Sequence, residues 1–192
     1  MKTIEVELKG TSPLIMHSCV GVNKLHPLTI ALDRLNGKRK KTEEDFRKIS
    51  DLEWEIGIYW DDQVGLYLPA ENIEATIREG AKSFKKGKTF ERGFNCINML
   101  NPVDIGENLT KDQMFADFRF RDVRAMRVQT NRIMRTRPRF NMWRCTFRAC
   151  YDERSLDFKD IVNAIDYAGE KVGLCDSRPR YGTFVSTITE LD

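Results

Sequence analysis

Between residues 143 and 150 the side chains alternate: Trp143, Cys145, Phe147 and Ala149 on one side, Arg144, Thr146 and Arg148 on the other. A repeat of two puts these sets on opposite faces of a β-strand. Such a chain needs a sheet with one face buried under another layer and the other face left polar. Residues 3–9 repeat the pattern, with Ile4, Val6 and Leu8 set against Glu5, Glu7 and Lys9, and stop at Gly10-Thr11-Ser12-Pro13 before a short apolar step, Leu14-Ile15-Met16. Helical periodicities supply the covering layer. Thr42-Glu43-Glu44-Asp45 is a capped start followed by Phe46, Ile49, Leu52 and Ile56. Pro69 opens a second helix over 70–84 with Ile73, Ile77 and Ala81 on one face. Phe158, Ile161, Ile165, Ala168 and Val172 mark a third, which Gly173 ends. Further strands are predicted at 58–60, 64–68, 123–128 and 183–189. This order predicts an α+β fold with an antiparallel sheet.

The 192 residues suit one domain, spanning 1–192. Two basic segments are predicted to project from it. Residues 17–41 form a weakly patterned loop ending in Arg34, Lys38, Arg39, Lys40 and Lys41, and residues 129–141 form an arginine-rich hairpin or loop. The chain is 41% hydrophobic and 32% charged, with no apolar run near the ~20 residues of a membrane helix. The opening Met1-Lys2-Thr3-Ile4-Glu5 lacks the apolar stretch of a secretion signal. Cys19, Cys96, Cys145, Cys150 and Cys175 form no pair or cluster with zinc spacing. A cytoplasmic protein with reduced thiols, no metal, no cofactor and no membrane partner is expected.

Net charge is only +3, but residues 119–148 hold ten arginines, no lysine and a single acid, Asp122. A concentrated basic stripe on a nearly neutral chain points to an oriented polyanion partner. Within and beyond the stripe a tetrapeptide recurs as Arg137-Pro138-Arg139-Phe140 and Arg178-Pro179-Arg180-Tyr181. The guanidinium fork matches phosphate, and an aromatic face can take a stacked base. The nucleic-acid-binding candidates are therefore Lys38, Arg39, Lys40, Lys41, Arg132, Arg135, Arg137, Arg139, Phe140, Arg178, Arg180 and Tyr181, with both tetrapeptides expected on one face of the sheet. No Walker-type loop, HExxH or GxSxG occurs. No catalytic residue is assigned, and Asp61-Asp62 reads as a hairpin turn.

Three places resemble the RAMP superfamily, the ferredoxin-like proteins that form the backbone of CRISPR effector complexes. Residues 6–14, Val-Glu-Leu-Lys-Gly-Thr-Ser-Pro-Leu, are similar to the family's opening strand and small-residue turn. Residues 68–78, Leu-Pro-Ala-Glu-Asn-Ile-Glu-Ala-Thr-Ile-Arg, resemble its strand-to-helix junction, with Ala70 and Glu71 replacing the usual Gly-Ser. Val172-Gly173 through Arg178, Tyr181-Gly182 and Phe184 resemble its C-terminal glycine-rich loop, with Pro179-Arg180 where glycine is usual. The resemblance implies a modified RRM-like, ferredoxin-like core carrying single-stranded RNA or DNA, with copies able to line up as a homo-oligomer or with effector-complex subunits. Some RAMP proteins cut RNA with an N-terminal histidine or an aspartate after the first strand. His17, His26 and Asp33 stand in that region, so a metal-independent endoribonuclease is the alternative. A subunit that docks into an effector complex is another.

Overall fold

The computed structural model describes residues 1–128 and 130–191; Gln129, at the start of the predicted arginine-rich excursion, lies outside the described residues. In chain order the elements are β1 (Lys2–Gly10), β2 (Leu14–Ile15), α1 (Pro27–Asn36), α2 (Glu43–Gly57), β3 (Trp60–Asp61), β4 (Gly65–Pro69), α3 (Ala70–Lys82), α4 (Gly87–Gly93), β5 (Phe94–Cys96), β6 (Leu100–Asp104), α5 (Lys111–Ala116), β7 (Arg121–Val128), β8 (Asn131–Phe140), β9 (Arg144–Tyr151), α6 (Phe158–Tyr167) and β10 (Phe184–Leu191). The fold is α+β, and every strand register described is antiparallel. The chain divides into two compact units: Met1–Leu14, Trp60–Asn108 and Asn141–Asp192 form the first, Ile15–Tyr59 and Leu109–Phe140 the second. Among the described residues no helix is long and apolar enough to cross a membrane.

In the first unit the sheet runs β10-β1-β9-β6-β4-β3, with β5 also paired to β9. The alternation in β1 and β9 resolves as expected: Ile4, Val6 and Leu8, with Cys145, Phe147, Ala149 and Tyr151, are buried. They pack beneath α3, which contributes Ile73, Ile77 and Ala81, and α6, which contributes Ile161, Ala164 and Ile165. Each fully buried Ile, Leu or Phe contributes about 1.5–3 kcal/mol. The two helices cross at Gly80, where a Cβ would lie 2.4 Å from the Ala164 carbonyl oxygen, so only glycine allows this approach. Helix α3 starts directly from β4, and the Met99 carbonyl takes the otherwise orphaned Ala70 N–H (2.9 Å).

The second unit holds the β7–β8 hairpin of a small sheet, with α2 packed on it. Trp54, fully buried on α2, donates its indole N–H to the Phe120 carbonyl (2.8 Å) and meets the Phe115 ring edge-on at 5.4 Å. Helix α2 begins with the expected capping box: Thr42 and Asp45 each bond the other's backbone N–H. The segment predicted as a weakly patterned loop at 17–41 instead contains a 3₁₀ turn, Cys19–Val22, and α1. Pro27 sits in the first turn of α1 and the His26 Nδ1 accepts the Leu28 N–H (3.3 Å) as its cap. Excursion 129–141 is largely β8, the second strand of a hairpin with β7 that pairs Asp122 with Arg137 and Arg124 with Arg135.

Candidate nucleic-acid interface

Most of the acids that answer the arginine stripe come from other parts of the chain. In the second unit, Arg121 is buried, pairs with Asp51 at 2.6 Å and lies over the Phe115 ring, and Arg135 pairs with Glu53. Arg119 pairs with Asp117 (2.7 Å). The stripe's own acid, Asp122, is buried; it is held by Arg124, lies 3.9 Å from Arg139 and faces Arg137 across the hairpin. In the first unit, Arg148 meets Glu5 at 3.0 Å and Arg144 meets Glu7 at 3.9 Å across the open face of the sheet. A stripe that reads as unopposed charge is therefore largely neutralised by tertiary contacts. The central strands β1 and β9 also carry no aromatic side chain on that open face, which presents Thr3, Glu5, Glu7, Lys9, Arg144, Thr146, Arg148 and Cys150.

One place in the second unit differs. Helix α2, strand β8 and the α1–α2 connection surround a groove of about 940 Å³. Arg39 and Lys41 come from the connection, Phe46, Ile49, Ser50 and Glu53 from α2, and Arg132, Ile133, Met134, Arg135 and Thr136 from β8. Four predicted contact residues, Arg39, Lys41, Arg132 and Arg135, are brought together here. Arg39 and Arg132 are exposed and form no ion pair among the described residues. Lys41 spends its ammonium hydrogen bonds on the Asn36 and Lys38 carbonyls (2.9 and 3.0 Å), at the negative end of the α1 dipole. Lys38 is occupied by Asp45 (2.6 Å); that hydrogen bond, together with the one from Thr42 N–H, holds the Asp45 carboxyl below its usual 3.8. Lys40 is exposed and lies outside the groove lining.

The floor of the groove is built from polar groups that satisfy one another. One Glu53 carboxylate oxygen accepts from Arg135 and the other accepts the Thr136 backbone N–H (2.8 Å), as a neighbouring strand would. Ser50 and Thr136 share a hydroxyl hydrogen bond of 2.7 Å. Above them Phe46 is 59% exposed, Met134 58% and Ile133 39%. Phe46 is the residue that sequence reasoning missed: helical spacing grouped it with the apolar face of α2, whereas it stands one turn after the cap and faces open space.

The tetrapeptides separate. The first lies inside β8 of the small sheet and the second in the 173–182 loop of the first unit, so they do not share one face of one sheet. Phe140, expected to stack on a base, is instead 0% exposed, with its ring 5.7 Å from that of Phe120, and it packs the core with no face left for a base. Arg137 and Arg139 are half-buried beside Asp122 and do not line the groove. In the second copy Arg178 and Arg180 are exposed at the loop tip, and Tyr181 is half-buried. The neck of that loop is closed by Leu174 N–H on the Gly182 carbonyl (2.8 Å), and a Cβ on Gly182 would fall 2.0 Å from the Leu174 carbonyl oxygen. Arg178 lines a groove of about 1010 Å³ with Arg78, Lys82 and Lys171, but these last three pair with Glu91, Glu79 and Glu170.

Groups suited to chemistry are engaged elsewhere. Asp33 pairs with Lys24 (3.0 Å), and the His26 Nδ1 caps α1. Burial pushes the Cys145 thiol up to about 12, far from a nucleophilic thiolate. Among the described residues no three His, Cys, Asp or Glu side chains gather as a metal site would require. No protein-family model matches the chain, and no curated protein does.

Proposed function

We propose that this protein binds single-stranded RNA or DNA without cutting it, and that the groove between α2 and β8 is the contact site. The observation that carries this reading is the composition of the groove: four cations against one carboxylate, beside an exposed aromatic and aliphatic surface. Phosphate neutralisation supplies affinity, and unstacked bases meet the apolar surface. A duplex offers the same phosphates but keeps its bases stacked inside.

We further read the first unit as a ferredoxin-like core of RAMP type. Strand β1, helix α3, strands β6 and β9, helix α6 and strand β10 follow the β-α-β-β-α-β order. The neighbour order β10-β1-β9-β6 is last, first, third, second, which supports that reading. Its departure from an RRM is the open face, where Glu5 and Glu7 oppose Arg148 and Arg144 and no aromatic platform stands on β1 or β9.

Fluorescence anisotropy of a labelled single-stranded oligonucleotide, in chelator and over a salt series, tests the function. Binding that weakens steeply with salt, leaves the strand intact and exceeds binding of the matched duplex is expected. No binding at low salt refutes the proposal, as does cleavage that disappears in His17→Ala.

A further inference from the structure

The geometry points to Phe46 as a base-stacking platform that holds an unstacked nucleotide by its face and not by its edge, which makes the groove tolerant of sequence. This inference rests on the reading of the chain as a single-strand binder and adds how the strand is held. Phe46 is 59% exposed on a well-capped helix, so its position is set by α2 and not by a mobile loop. An aromatic ring this exposed normally gains from being covered, and here the cations Arg39 and Arg132, which form no ion pair among the described residues, stand around the same groove. Charge complementarity selects an occupant with an anionic backbone and a planar apolar body, the chemistry of a nucleotide strand. At about 940 Å³ the open groove has room for a nucleotide.

The polar floor bears on how a base is read. Reading a base edge requires donors or acceptors that await a partner. The Glu53 oxygens already serve Arg135 and the Thr136 N–H, and the Ser50 hydroxyl already serves Thr136. Asn36 also lines the groove and the Arg39 and Arg132 guanidinium groups are left to the phosphates, so what lies beneath a base is chiefly ring and aliphatic surface, and every base has a π-face. The groove therefore discriminates single strands from duplexes and bases from abasic sites, and discriminates weakly among the bases.

The test compares a thymidine oligonucleotide with an abasic strand of the same length and phosphate count, binding each to the intact chain and to Phe46 variants. The wild-type protein is expected to bind the base-bearing strand about tenfold more tightly. Phe46→Ala brings the two strands within about twofold while leaving the salt dependence unchanged, and Phe46→Trp restores the difference. Because Phe46 is exposed, neither change disturbs the core. Adenine, cytosine and thymine homopolymers are expected within about threefold of one another. Salt-dependent binding of both strands with equal affinity by the wild type overturns the stacking platform while leaving strand binding in place, as does a tenfold preference retained in Phe46→Ala. A preference above tenfold for one base overturns reading by the face. Failure of both strands to bind at low salt removes the strand-binding reading itself.

Discussion

The open face of the β1–β9 sheet and the α2–β8 groove are made from similar residues and present opposite surfaces. On the sheet, Arg144 and Arg148 stand across from Glu7 and Glu5, and the charges cancel. In the groove, Arg39 and Arg132 have no carboxylate partner among the described residues, and the single acid, Glu53, is committed to Arg135 and a backbone N–H. An exposed phenylalanine stands only on the second surface when the groove is set against β1 and β9. Arginine number is thus a poor guide to surface charge. What decides is whether the strand or helix packed alongside contributes an acid at the matching position.

The largest expected effect comes from removing the acid that anchors the groove. Glu53→Leu leaves the buried Thr136 N–H without an acceptor and Arg135 without its carboxylate, at a cost of about 2–3 kcal/mol read as a shift of the urea midpoint. Glu53→Gln retains an acceptor and frees a positive charge, so it costs less stability and tightens strand binding severalfold at low salt; unchanged affinity would show that Arg135 lies off the path of the strand. Next in size, replacing both Arg39 and Arg132 with Ala weakens strand binding by roughly tenfold near physiological salt without lowering stability. The smallest effect concerns acid stability. Because Asp45 ionises more readily folded than unfolded, its contribution is complete above the usual 3.8 and is lost as pH falls through its lowered value. Asp45→Asn should therefore flatten the acid limb of a stability–pH curve below about pH 4, and an unaltered limb would mean that the Lys38 contact is not maintained in solution.

Much of the frame is legible in the sequence because its signals are local. The period-two runs of β1 and β9, the capping box at Thr42, Pro69 before α3 and Gly173 after the third helix each act within a few residues of themselves. Helix α1 carries local signals too, His26-Pro27 at its start and Leu28, Ala31, Leu32 and Leu35 at helical spacing, but that stripe is only half-buried and Thr29 is the one fully buried residue of the helix, so a loop reading of 17–41 passes over it. Apart from Arg119 with Asp117 and Arg124 with Asp122, the pairings that neutralise the stripe are not local. Glu53 and Arg135, or Glu5 and Arg148, meet only through the tertiary fold, so counting nearby acids overstates the free charge. Phe46 and Phe140 are exchanged for the same reason: helical spacing placed the first inside and a strand-end position left the second outside, while the packing of α2 on β8 decides the reverse.

The salt dependence of strand binding in two double variants tests the central contrast most directly. Each phosphate contact removed from a single strand lowers the slope of log affinity against log salt by about 0.7. Arg39→Ala with Arg132→Ala should flatten that slope by roughly 1.4 relative to wild type, whereas Arg144→Ala with Arg148→Ala should leave both slope and affinity unchanged. Flattening by the sheet pair and none by the groove pair would place the strand on the wrong surface and contradict the account.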